Sequence, residues 1–139
     1  MAFETTGAAE LFLVGRLLFG GVLAFTGLNH FTNGEGMIPY AEAKGLPAPA
    51  MAVYGSGGML VFSGLLVIAG AYPVLATGAL ATFLLGSAVT MHDFWAVPED
   101  QQQTEMTQFL KNVALAGGAF ALLSVAGTAW PYSVGLAAF

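Results

Sequence analysis

Four stretches of nearly unbroken apolar sequence dominate the chain, from about Leu11 to Asn29, Met51 to Ala71, Val74 to Met91 and Asn112 to Trp130. A helix needs roughly 20 apolar residues to cross about 30 Å of hydrocarbon, at a rise of about 1.5 Å per residue. Each stretch therefore predicts a transmembrane helix, and Arg16 is the one charge well inside a predicted span. Gly70-Ala71-Tyr72-Pro73 is too short to be anything but a tight turn, which makes the second and third spans antiparallel neighbours. The longer connections, 31–50 and 94–111, then lie on the opposite side, and both termini share the side of the tight turn. The pattern predicts an all-α integral membrane protein, a four-transmembrane-helix bundle made of two helical hairpins, with residues 1–139 forming one domain. Met1 to Thr6 carries no basic n-region, so the first span is expected to be retained rather than cleaved as a signal.

The connections carry their own signals. Ile38 to Gly45 predicts a short surface helix opened by Pro39 and closed by Gly45, with Pro47 beyond. Pro98, Glu99 and Asp100 open the fourth helix, since acids favour the positive end of a helix dipole; it rises through Gln108 and Lys111 into the bilayer, with Met106, Phe109 and Leu110 as its expected buried stripe. Within the bilayer, helices associate through small residues that allow close approach. Gly78, Thr82, Gly86 and Thr90 form such a ridge at four-residue steps and are expected to face a neighbour; Gly20, Ala24 and Gly27, and Ala114 and Gly118, offer similar surfaces. Tyr72, Trp130 and Tyr132 at one side, with Phe94 and Trp95 at the other, fit interfacial aromatic belts. The two hairpins also look like parallel repeats, each ending its outgoing span on a histidine followed by phenylalanine.

Composition agrees with the pattern and narrows the chemistry. The 139 residues are 57% hydrophobic and 8% charged, with a mean hydropathy of +0.77; a soluble domain carries about 25% charged residues. There is no cysteine, which removes thiolate nucleophiles, dithiol exchange, Fe–S ligation and thiol-rich zinc sites from this chain. Eight acids against three bases give a net charge of −5, which argues against nucleic acid and against a polybasic lipid-binding surface.

The topology collects the remaining polar chemistry at one face: Asn29, His30, Glu35, Glu42, Lys44, His92, Asp93, Glu99, Asp100, Glu105 and Lys111. His30 is read either as an interfacial residue bonded to a carbonyl or as half of a site shared with His92. Two histidines without a further ligand set make a metal the weaker interpretation, and none is assigned; haem ranks below a quinone, whose carbonyl an imidazole can hydrogen-bond. His92 and Asp93 are the candidate catalytic pair, an imidazole and a carboxylate able to pass a proton at the bilayer edge. Around them His30, Trp95, Lys111 and Asn112 are candidate ligand-binding residues, with Lys111 expected to form an ion pair with Asp93. Arg16 lies at the opposite end of the bundle and predicts a structural charge, able to snorkel and to bond neighbouring helix ends.

Several local sequences together resemble the DoxX family of small four-span membrane proteins: Gly15-Arg16-Leu17-Leu18-Phe19-Gly20, Ala43-Lys44-Gly45-Leu46-Pro47-Ala48-Pro49, Gly64-Leu65-Leu66-Val67, His92-Asp93-Phe94-Trp95 and Gln108-Phe109-Leu110-Lys111-Asn112. The resemblance implies a multi-pass protein of the cell membrane and, from the family's name-giving members, a quinone-linked membrane subunit of an oxidoreductase complex that works with a protein partner. Its distant relatives imply the alternative, a non-enzymatic scaffold, chaperone or assembly subunit. The expected partners are the lipid bilayer and a second subunit or further copies of this chain.

Overall fold

The computed structural model describes residues 2–136. Five α-helices follow in order: α1 Ala8–Thr32, α2 Gly34–Ala43, α3 Pro49–Ala69, α4 Pro73–Met91 and α5 Glu99–Ser124, with a 3-10 turn at Phe94–Ala96 and no strand among the described residues. Helices α1, α3, α4 and α5 are long and apolar enough to span a bilayer. The protein is thus the expected all-helical four-span bundle. Leu11, Leu18, Phe25, Met51, Phe62 and Leu75 lie exposed on its outer surface, where lipid tails replace water as solvent.

Local chemistry sets the boundaries. Pro49 and Pro73 open α3 and α4 at the position where a missing N–H costs nothing. Gly70 closes α3 in the left-handed region at φ 67°, with the Ala71 N–H donating to Leu66 O at 2.9 Å. That closure turns the chain straight into α4. Two boundaries and one buried stripe differ from the sequence expectation. Helix α2 begins at Gly34, so Pro39 sits inside it rather than at its start. The fourth spanning helix opens at Glu99 as expected but stops at Ser124, and Trp130 belongs to a segment that folds back over the bundle end. On α5 the buried residues are Asn112, Ala116 and Ala119, while Leu110 is exposed: one step past Phe109 rotates it about 100° away from the bundle.

Packing follows the two predicted hairpins, α1 against α3 and α4 against α5, with α3 and α4 joining them. In the first hairpin the backbones themselves meet. A Cβ built on Gly20 would lie 2.5 Å from Gly64 O, and one on Gly64 would lie 2.5 Å from Gly20 O; seven residues along, a Cβ on Gly27 would lie 2.6 Å from Gly57 O. No side chain larger than hydrogen fits at these crossings. A Cβ built on Gly118 of α5 would lie 3.2 Å from the Phe19 ring, whereas Ala114 is exposed. The ridge Gly78, Thr82, Gly86 and Thr90 does not pack inside the monomer: Thr82, Gly86 and Thr90 are exposed and nothing lies within 4 Å of an added Cβ at Gly78 or Gly86. The core face of α4 is instead Ala76, Leu80, Ala81 and Leu84, which meets Leu23, Leu60, Val67, Ala116 and Ala119.

Arg16 pins the end where the termini lie. It is fully buried, so it does not snorkel to water. Its guanidinium donates Nε to Val67 O at 3.0 Å, Nη2 to Ile68 O at 2.6 Å and Tyr132 O at 3.2 Å, and Nη1 to Pro131 O at 2.6 Å. Two of these carbonyls end α3, where the helix dipole favours a cation. Phe12 and Trp130 flank the same guanidinium, with ring centroids 5.8 and 5.4 Å away. The segment after α5 is also tied to the tight turn, through Tyr72 N–H to Leu136 O at 2.6 Å and Val134 N–H to Ala69 O at 3.0 Å.

Gly64→Val should lower unfolding stability in detergent by about 1–3 kcal/mol through overpacking, while Gly78→Ala should stay within about 0.5 kcal/mol of the parent; thermal melts of the purified variants compare them. Arg16→Met should cost about 3 kcal/mol or more by leaving buried carbonyls without donors, and Arg16→Lys should recover only part of this because an ammonium lacks the planar fork.

Candidate functional site

At the end of the bundle opposite Arg16, the helices enclose a cavity of about 510 Å³. Its lining includes Thr26 and His30 of α1, Ser56 of α3, Phe83 and Ser87 of α4, and Asn112 of α5. On α4 the lining positions are Phe83, Gly86, Ser87, Thr90 and Met91, a stripe at helical spacing that ends on His92. Helix α2 lies across this end and contributes Met37, Tyr40 and Ala41. The two histidines of the sequence therefore open onto one space, as the antiparallel topology predicts.

His30 is fixed by α3. Its Nδ1 lies 3.0 Å from Val53 O and 3.1 Å from Ser56 Oγ, and the Ser56 hydroxyl itself donates to Val53 O at 3.0 Å. The glycine crossing sets this approach, since a Cβ on Gly57 would stand 2.6 Å from His30 Cβ. The Phe83 ring meets the imidazole in an edge-on arrangement at 6.4 Å. His30 thus bonds a carbonyl, as the first reading has it, and lines the same cavity as His92.

His92 follows the last residue of α4 and is held by α5. Its Nδ1 donates to Glu105 Oε2 at 2.8 Å. The other oxygen of that carboxylate accepts from the Tyr40 hydroxyl at 2.6 Å, and Tyr40 also reaches Met91 O at 2.8 Å. Burial first, then the bond to Glu105, hold the Tyr40 phenol far above its ordinary range, so it remains a proton donor to the carboxylate. An imidazole oriented by a carboxylate through Nδ1 presents Nε2 in a fixed direction, the geometry of a general acid or base.

The remaining sequence candidates separate. Asp93 pairs with Lys44 of α2 rather than with Lys111, because the chain leaves the helix at His92 and turns the next side chain back towards α2. Lys111 lines the cavity but bonds the neutral Gln108 one turn earlier. Asn112 is buried in the cavity wall and donates to Ser87 Oγ at 3.3 Å. Trp95 lies outside the lining, 58% exposed, in a cluster with Phe94 and Phe109 at 5.2 and 5.7 Å. Glu105 and Tyr40, which no sequence candidate named as site residues, complete the arrangement instead. A signal existed for the first: Glu105, Phe109 and Asn112 share one helical face that ends in the cavity wall.

Comparison with known proteins agrees with this architecture. The chain is 29% identical over 123 residues to the inner membrane protein YphA of Escherichia coli strain K12, covering 87% of each chain. No solved structure matches it. The sequence profile named DoxX matches residues 11–93, from the first turn of α1 past the histidine that ends α4. This multi-pass membrane protein belongs to the DoxX family.

Proposed function

We propose that the protein is the quinone-linked membrane subunit of an oxidoreductase complex, with the cavity as the seat of the quinone ring. The observation that carries this is the convergence of His30 and the Glu105-oriented His92 on one cavity at the edge of a lipid-embedded bundle. Its volume falls within the roughly 300–1,000 Å³ of small-molecule sites, and its walls mix apolar side chains with a few polar groups, as such sites do. Phe83, Met37, Leu46 and Met91 supply apolar contact for a ring. Between quinone and quinol the ring takes up or releases two electrons and two protons. His92 with Glu105 handles protons at the ring oxygens, His30 holds the ring's other side, and electrons pass to or from a redox-active protein partner. Asp93 acts through Lys44, fastening α2 across the cavity, so it is a positioning residue rather than the proton carrier.

A second reading keeps the fold and drops the chemistry: a membrane scaffold or assembly subunit. The open positions Gly78 and Thr82 favour it, since small residues left unfilled on a lipid-facing helix accept another helix closely.

Mild extraction followed by mass spectrometry should recover bound quinone together with co-purifying subunits. In membranes containing the whole complex, His92→Ala and Glu105→Gln should each lower quinone-dependent turnover by about 10²-fold, and Asp93→Asn should do so less. Protein that carries no quinone, in a complex whose turnover survives His92→Ala, would leave the scaffold reading in possession.

A further inference from the structure

Resting on the quinone reading above, we infer that the cavity selects the reduced, dihydroxy form of the ring, a quinol, over the quinone. What decides this is which hydrogen-bond donors and acceptors are left free on the cavity wall. Val53 O, which His30 Nδ1 meets at 3.0 Å, can only accept, so Nδ1 carries the proton of that ring. The Glu105 carboxylate accepts from both Tyr40 and His92, so His92 Nδ1 carries its proton in the same way. An imidazole that is neutral with its proton on Nδ1 keeps only an acceptor, at Nε2. No buried side-chain nitrogen or oxygen among the described residues lacks a partner. The two Nε2 atoms bond no protein group and are not fully buried, and both residues line the one cavity, so we assign them to that open space.

The hydroxyls of the wall are spent in the same direction. Thr26 donates to Val22 O at 2.9 Å, Ser56 to Val53 O at 3.0 Å and Thr90 to Gly86 O at 2.8 Å, while Tyr40 gives its one hydroxyl proton to Glu105, with Met91 O as the alternative acceptor. Each keeps only oxygen lone pairs for a ligand. Free donors are confined to the α4–α5 side, at Lys111, Asn112 and Ser87. The wall around the imidazoles thus offers acceptors, and a complementary ligand must bring donors.

A quinone brings two carbonyl acceptors, which would meet Nε2 lone pair against lone pair. A quinol brings two O–H groups, one for each imidazole. A cationic donor such as an ammonium is disfavoured by the Lys111 charge on the same cavity. A neutral lipophilic diol meets both conditions.

The test compares decylubiquinol, decylubiquinone and the dimethyl ether of decylubiquinol, which keeps the reduced ring and tail but has no O–H group. Affinities are measured by thermophoresis of the full chain in lipid nanodiscs, without oxygen, at pH 8. Quinol should bind roughly 100-fold more tightly than quinone, at about tenfold for each hydrogen bond, and the ether should bind no better than the quinone. His92→Phe should reduce the quinol preference about tenfold, one acceptor having gone. Quinone binding equal to or tighter than quinol overturns this inference while the quinone-linked reading stands. Equal binding of quinol and ether overturns it as well, and it needs no protein variant. Binding of none of the three overturns both.

Discussion

Everything in this bundle depends on the contact between α1 and α3, where two glycine pairs bring backbone against backbone. Within a bilayer, burying one apolar side chain against another gains little over burying it in lipid, so helices are held by closeness of packing. Gly20 against Gly64 and Gly27 against Gly57 supply that closeness at two levels seven residues apart. The same crossing sets the position of His30, whose Cβ would collide with any side chain at Gly57. Packing and site are consequences of one absence of side chains. The second hairpin has no counterpart to this double crossing, and α5 instead meets α1 through Phe19 and Gly118.

The two ends of the bundle solve opposite electrostatic problems. At one end a buried cation is surrounded by carbonyl oxygens from two parts of the chain, the end of α3 and the segment after α5, and the helix end supplies the compensating partial charge. At the other, Lys44 pairs with Asp93 and the Glu105 carboxylate takes hydrogen bonds from His92 and Tyr40, around a space kept open. The first arrangement closes a protein and the second holds a cavity apart. Tyr40 and Lys44 reach from the connection of the first hairpin to residues of the second, so α2 is tied across the opening by side chains rather than by extensive helix packing.

Hydrophobic runs, prolines and glycines were enough to read the four spans, the two hairpins and the shared face of the histidines, because a bilayer permits few other arrangements of such a sequence. Arg16's partners were foreseeable in kind, as helix-end carbonyls. What escaped was rotation about each helix axis. Whether Leu110 or Glu105 faces inwards, and whether the Gly78 ridge packs or lies open, depends on an angle that apolar periodicity leaves undefined when lipid-facing and core-facing positions are equally apolar. Asp93 was matched with Lys111 by nearness to the same interface; the chain's exit from α4 after Met91 sent it to Lys44 instead. Tyr40 escaped because its partner lies 65 residues away, and no local pattern links them.

The carbonyls around Arg16 have a temporal side. Arg16 enters the membrane on the first span, while Pro131, one of its acceptors, comes 115 residues later in the chain. During synthesis the first helix therefore sits in lipid carrying a cation without its full set of partners, even after α3 has delivered Val67 and Ile68. Only when Pro131 and Tyr132 fold back over the bundle is the charge satisfied. The burial of one arginine makes the last turns of the chain a condition for the stability of the first, so an interrupted chain declares itself by an unsatisfied charge in the bilayer.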